Sequence, residues 1–408
     1  MSGLSLAAIL LILLACTGGL ARAAENPPEL DADAWAVIDA RTGEVLAEEN
    51  ADSHLPMAST TKMMTAYLAL KNLPLDREYP AADYKGDPSE SLMGLEPGQM
   101  VSARDLLYGL IMLSGNDAAV TLADAVSGSE KEFVALMNRT ATRLGLDDTS
   151  YENPIGLDGK KHYTSADDLA RLGQILMDMP RFRPIASART AKLRSYSPPL
   201  EITTLNTFLL NNEWAKGIKT GHTMKADYVL ASDGRRKATE LIGAVIGAPT
   251  EAARDAETVK LLDYGFSLYD KKVPIRPGRP VVEIPVKYQG QDLGLVSRRA
   301  VRIGVREGER LVVTPDAPDE IEGPVAKGDP MGSATVTLNG DPIAKVKLLA
   351  ANSVDEASLF EKAKGNIILV VIVLLLVLSA ILGAVAIQRH RHSSRMRKRL
   401  RRVTRNSQ

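Results

Sequence analysis

Ser59-Thr60-Thr61-Lys62 sets a hydroxyl and an amine three residues apart. The apolar run Met57 to Leu70, free of Gly and Pro, predicts a buried helix beginning near Ala58. Residues three apart on a helix share a face, so the two side chains are neighbours. A serine hydroxyl is a poor nucleophile at neutral pH unless a base takes its proton. A lysine serves as that base when burial or nearby cations lower its pKa. The dipole of a helix N-terminus also favours the oxyanion that acyl transfer creates beside the serine. By itself the spacing is weak, because about one Ser-x-x-Lys arises by chance in a chain of this length. A capped helix with a solvated lysine also accounts for it.

Two further clusters sharpen the reading. Ser114-Gly115-Asn116 interrupts two apolar helical runs, about 103–113 and 116–126, and polar groups at an interior junction need a partner or a task. A helix N-cap is the ordinary alternative. Lys219-Thr220-Gly221-His222-Thr223 opens a strand-like run. Its glycine lets a substrate backbone come close, and its lysine adds positive potential. An ordinary strand end has the same composition, and Arg41-Thr42-Gly43 shows how readily such a triplet occurs in a turn.

All three, in the order Ser-x-x-Lys, Ser-x-Asn, Lys-Thr-Gly, form the signature of penicillin-binding proteins and serine β-lactamases. The longer strings Met57 to Thr65, Leu113 to Val120 and Gly217 to Thr223 resemble the low-molecular-mass D-alanyl-D-alanine carboxypeptidases. So do Asn153-Pro154-Ile155-Gly156-Leu157-Asp158 and Leu205 to Leu210. The resemblance covers about residues 34–268, and the segment behind it looks like that family's second domain.

The resemblance implies a serine peptidase that removes the terminal D-alanine of peptidoglycan stem pentapeptides through an acyl-enzyme and is open to acylation by β-lactams. In that scheme Ser59 attacks, Lys62 takes its proton and Ser114 relays a proton to the leaving amine. Asn116 holds the substrate amide and the lysine. Lys219 and Thr220 bind the terminal carboxylate beside Gly221, and the backbone N–H groups of Ser59 and His222 form the oxyanion hole. No metal or cofactor is implied. Three positions depart from the family pattern: Ala226-Asp227-Tyr228 replaces an Ala-Gly pair, Ala248-Pro249-Thr250 lacks an arginine that some members carry, and the chain ends in a spanning helix rather than an amphipathic one. Without that arginine, carboxylate recognition is expected to lean on Lys219 and Thr220. A β-lactamase is a rival in the same fold, but no Glu-containing segment matches a class A deacylation motif. A non-catalytic wall-binding or sensor protein has no need of Ser59, Lys62, Ser114 and Lys219 together.

These residues must be held by an α+β fold. Trp35 to Ile38 and Glu44 to Ala47 flank a Gly-containing turn and predict a hairpin. Helical runs follow at about 103–113, 116–126, 129–144 and 165–179. Strand signals return at 217–220, 228–232 and 241–246, before a last helix at 251–264. Strands at both ends with helices between imply one sheet assembled from distant segments. The resemblance makes it a β-lactamase/transpeptidase-like catalytic domain, a helical cluster packed on an antiparallel sheet, over 25–270. Short β-branched runs punctuated by Gly and Pro predict a small β-rich domain over 271–352, a spacer or partner platform, and 353–366 is a juxtamembrane linker.

The ends place the chain. Ile367 to Ile387 carries no charge over 21 residues, long enough for a transmembrane helix across a bilayer core of about 30 Å. Nine Lys or Arg and no acid follow Gln388, so the tail 388–408 is expected to be cytoplasmic and the body extracytoplasmic, on a bacterial cytoplasmic membrane. The apolar run from Leu4 with Ala21-Arg22-Ala23 resembles a signal peptide, 1–24. Leu13-Leu14-Ala15-Cys16 is a competing lipoprotein cleavage box. The 408 residues carry 50 basic and 50 acidic side chains. With the tail and Arg22 set aside, 40 basic face 50 acidic ones, a body that phosphate backbones repel. The single cysteine, Cys16, excludes disulfides and thiolate sites beyond the leader, and no His pair among the five has the spacing of a zinc hydrolase.

Overall fold

A computed structural model of the chain describes residues 26–403 apart from Pro88, Ser89 and Lys237. The expected signal peptide, 1–24, lies outside these residues. Two compact units are present: the described residues up to Lys272 with Ile303–Gly308, and Val273–Arg302 with those from Glu309 onward.

In the first unit an antiparallel five-stranded sheet has the order Val45–Glu49, Ala34–Asp39, Thr239–Ala248, Asp227–Arg236, Ala215–Thr223. The hairpin expected at the start therefore joins the sheet to three strands some 200 residues later, with Trp35 opposite both Glu49 and Val245. Side chains alternate across the strands. Ala34, Ala36 and Ile38 face a cluster of helices, while Trp35 and Val37 face a separate core with Leu261, Leu262 and Phe266 of the helix Glu251–Ser267. With both faces covered, Ala34–Asp39 is buried throughout, which explains the unbroken apolar run from Ala34 to Ile38.

The helical cluster comprises α1 (Lys62–Asn72), α2 (Ala103–Met112), α3 (Asn116–Ser127), α4 (Glu130–Leu144) and α5 (Ala166–Met177). Ser102, Ser129 and Ser165 cap α2, α4 and α5, each accepting from the N–H three residues on, a bond worth about 1 kcal/mol. Every residue of α1 from Lys62 to Leu70 is buried. A helix without a polar face belongs in the middle of a core, and that is why Lys62 has no route to water. The helix expected near Ala58 opens as one 3₁₀ turn, Ala58–Thr61, and becomes α-helical only at Lys62.

The second unit is built on another antiparallel five-stranded sheet, in the order Pro280–Val286, Gln291–Val296, Asp341–Ala350, Pro330–Leu338, Leu311–Asp316. Its core includes Ile284, Leu293, Leu295, Val336 and Leu348. The helix Leu359–Val403 follows. Its segment Val370–Arg395 is apolar and long enough to cross a membrane.

One group in the first sheet is costly. Asp233 is fully buried, and among the described residues neither carboxylate oxygen finds a hydrogen-bond donor. Burial first, and then the Glu240 carboxylate, push its pKa up to about 8, against the weaker pull of Arg183 and Lys216. The folded chain thus keeps a proton that the unfolded chain releases near pH 4. The associated stability is complete below that pH and is lost as pH rises through about 8. Asp233→Asn should raise Tm by roughly 4 °C or more at pH 9 and by much less at pH 5. Equal changes at the two pH values, followed by circular dichroism, would contradict this.

Candidate active site

The 3₁₀ turn that carries Ser59 is held from three sides. Ala58 sits at φ 46°, a left-handed conformation that costs a residue with a Cβ and persists only where the surroundings enforce it. Gly156, at φ 100°, packs so tightly that a Cβ there would lie 2.1 Å from the Ala58 carbonyl oxygen. Gly221 of the strand Ala215–Thr223 approaches from the other side, where a Cβ would stand 3.0 Å from both the Ser59 nitrogen and the Ala58 Cβ. The third support is His162, buried below the turn. Its Nδ1 accepts from the Glu152 N–H at 2.9 Å, so the proton is on Nε2, which donates to Thr61 Oγ1 at 2.7 Å. Thr61 in turn donates to the Ala58 carbonyl at 2.8 Å. Burial lowers the His162 pKa to about 4, so the ring is neutral at pH 7.

Lys62 Nζ donates to Ser59 Oγ at 3.0 Å and to the Ile155 carbonyl at 2.5 Å. The loop supplying that carbonyl is wound around Asn153, whose Oδ1 accepts from the N–H groups of Ile155, Gly156 and Leu157. Asp158 at its end accepts from Thr223 at 2.8 Å and ties the loop to the strand carrying Lys219. Burial depresses the pKa of Lys62 well below the ordinary lysine value. Lys219 lowers it further, and the charges of Glu90 and Asp117 pull the other way. An amine whose pKa is depressed in this way, within hydrogen-bond reach of a hydroxyl, is placed as a general base beside its nucleophile.

Lys219 is also buried, and its Nζ donates to the Thr220 carbonyl at 2.7 Å. Burial, and then the charge of Arg254, bring its pKa down to about 7. Arg254 is 2 % exposed and bonded to Asp255, Glu251 and Thr207. The sequence around 248–250 holds no arginine, but the helix that follows presents Arg254, whose charge acts on Lys219. Thr220 is half-buried beside Lys219. His222 is exposed and stacks on Tyr228, with ring centroids 4.2 Å apart. Asp227, where the resemblance leads one to expect glycine, sits exposed at φ 46°, a conformation glycine adopts without strain.

Ser114 and Asn116 occupy the junction between α2 and α3. Ser114 is at φ 59° and nearly buried, one more non-glycine residue in left-handed backbone after Ala58 and Asp227. Asn116 begins α3, and its Nδ2 donates to Glu90 at 2.6 Å. The structure therefore joins Lys62 to Ser59 by a hydrogen bond, packs Gly221 against the turn at Ser59, sets Lys219 within electrostatic reach of Lys62, and gives Asn116 a carboxylate neighbour. His162, Arg254 and Glu90 escaped the sequence reading. A histidine in an otherwise histidine-poor chain was the available signal for the first, and nothing local marked the other two.

Residues 21–250 match the family described as D-alanyl-D-alanine carboxypeptidase, and residues 269–356 match the C-terminal domain of penicillin-binding protein 5. The chain is 33% identical over 375 residues to D-alanyl-D-alanine carboxypeptidase DacC of Escherichia coli (strain K12), covering 88% of this chain and 93% of that protein. DacA of the same organism is 33% identical over 82% of this chain and 86% of its own length. Among solved structures, penicillin-binding protein 5 of Haemophilus influenzae superposes with a TM-score of 0.57 at 30% identity, over 81% of this chain and all of that one.

The close packing at Gly156 gives a test. Gly156→Ala puts a Cβ against the Ala58 carbonyl and forces an L residue into a glycine conformation. It should slow acylation by a fluorescent penicillin by at least about tenfold while the far-UV spectrum stays folded. A wild-type acylation rate would show that the turn does not depend on this contact.

Proposed function

The chain belongs to the D-alanyl-D-alanine carboxypeptidase family and is a hydrolase of that class, and on that premise we propose how its residues perform the reaction. The observation that carries the proposal is the Lys62 amine, fully buried and 3.0 Å from Ser59 Oγ. The substrate is the D-Ala-D-Ala end of a peptidoglycan stem pentapeptide. It lies along Ala215–Thr223, which is the edge strand of the sheet and so has backbone groups free to pair with an extended peptide. Lys219 and Thr220 receive the terminal carboxylate, with Arg254 behind Lys219 strengthening the field.

Neutral Lys62 takes the Ser59 proton as Oγ attacks the carbonyl of the penultimate D-alanine. The N–H groups of Ser59 and His222 stabilise the oxyanion, and Gly221, without a side chain, leaves the carbonyl room between them. Asn116 holds the substrate amide. Collapse of the tetrahedral intermediate breaks the C–N bond, and the departing D-alanine amine receives a proton relayed through Ser114. Water then hydrolyses the ester and frees Ser59. A β-lactam opened by the same attack leaves a penicilloyl ester on Ser59. His222, exposed and stacked on Tyr228, contributes its backbone rather than its ring.

The catalytic domain, 25–270, works outside the cytoplasmic membrane. The apolar segment 367–387 spans that membrane once, and the basic tail 388–408 remains in the cytoplasm. The β-rich domain, 271–352, serves as a spacer or partner platform.

Intact mass spectrometry after incubation with benzylpenicillin should show one penicilloyl adduct on the wild type and none on Ser59→Ala. Release of D-alanine from a diacyl-Lys-D-Ala-D-Ala peptide should fall at least about a thousandfold in the variant. An adduct on Ser59→Ala, or undiminished D-alanine release, would remove Ser59 as the nucleophile.

A further inference from the structure

Asn116 is held by a group outside the three motifs. Its Nδ2 lies 2.6 Å from Glu90 Oε2, and the same oxygen accepts the Tyr84 hydroxyl. A carboxylate only accepts, so the amide atom facing it must be the NH2 group. This fixes the orientation of the Asn116 amide and leaves Oδ1 turned away from Glu90. The loop that brings Glu90 here is laced onto the start of α3. Asp117 Oδ1 accepts from the Met93 N–H at 2.8 Å, and Oδ2 from those of Gly94 and Leu95 at 2.8 and 2.9 Å. The Asn116 N–H donates to the Ser91 carbonyl at 2.8 Å. These bonds fasten Ser91, Met93, Gly94 and Leu95, residues that follow Glu90, to the first turn of α3.

We propose that Glu90 is a positioning residue of the acylation machinery: its carboxylate, joined to Tyr84 and Asn116, fixes the Asn116 amide and supplies a negative charge to the Lys62 environment. The proposal rests on the reading of Ser59 and Lys62 as nucleophile and base.

Burial alone would raise the Glu90 pKa, but the hydrogen bonds from Tyr84 and Asn116 outweigh it and hold the carboxyl below its ordinary value. The carboxylate form of Glu90 is thus the one its hydrogen-bond partners favour. The charged groups acting on Lys62 come from separate elements: Lys219 from the edge strand, Asp117 from α3 and Glu90 from the loop, with neutral His162 beneath the turn. Lys219 opposes protonation of Lys62, and Glu90 and Asp117 favour it. The acid limb of acylation, which reports the loss of the Lys62 proton, is set by this balance.

Replacing Glu90 by Gln keeps a side chain that accepts from Asn116 and removes the charge, so Lys62 should lose its proton more readily and the acid limb should move to lower pH. Glu90→Ala removes both, and acylation at the pH optimum should fall about tenfold, the scale of one lost charge-assisted hydrogen bond, with most of that loss recovered in Glu90→Gln. The experiment is the second-order rate of acylation by a fluorescent penicillin from pH 4.5 to 10 in wild type, Glu90→Gln and Glu90→Ala, with thermal unfolding of each. An acid limb in Glu90→Gln that coincides with the wild type would overturn the proposal. So would a Glu90→Ala plateau equal to the wild type, or a loss in Glu90→Ala that tracks Tm and leaves the pH profile unmoved. Wild-type acylation that persists in Ser59→Ala would instead reject the underlying assignment, so the two failures are separable.

Discussion

A charged lysine inside a helix with no polar face is the expense around which the catalytic unit is organised. Taking an ammonium out of water costs several kcal/mol even after relaxation, and α1 offers Lys62 no path back to solvent. The chain meets this cost by weakening the hold of the amine on its proton. Burial and the Lys219 charge push the proton off, while the Ile155 carbonyl and Ser59 hydroxyl give the amine its hydrogen bonds. The burial that would be a stability defect elsewhere makes the base reactive here. Glu90 and Asp117 keep the amine from being displaced further, so its basicity comes from opposing charges on three elements.

The same economy governs the turn beside it. Ala58 and Ser114 both occupy left-handed backbone, and neither conformation would last without tight surroundings. Around Ala58 those surroundings are two glycines that leave no spare volume and a neutral histidine that fixes Thr61. Such packing denies Ser59 alternative positions, and a nucleophile that does not search for its geometry reaches the transition state with less entropy to lose. Stability is given up at the site and recovered in the two cores on either face of the sheet.

The three motifs and the alternation of helices and strands were legible because they depend on neighbours within a few residues. Ser59 and Lys62 share a face by helical spacing, and Lys219 to Thr223 reads as a strand by composition. The helix Glu251–Ser267 was recognisable, but not that it covers the second face of the sheet, since that follows from which residues of Ala34–Asp39 point each way. His162 acts on Thr61 across 101 positions, Glu90 on Asn116 across 26, and Arg254 on Lys219 from the helix after the sheet. No local pattern carries such pairings, because the fold alone brings them together. Asp227 belongs to neither group: its departure from glycine was visible, and its reason for being tolerable is the exposed left-handed turn it occupies.

The proposed chemistry depends on Lys62 being an amine whose pKa burial holds well below the ordinary lysine value. Its direct test is an NMR titration of the chain carrying ¹³Cε-labelled lysine, with the Lys62 resonance assigned through Lys62→Arg. The account predicts that this resonance titrates well below the ordinary lysine range, separate from the solvent-exposed lysines. A Lys62 resonance that titrates together with the exposed lysines would show an ammonium at neutral pH, and Ser59 would then need another base.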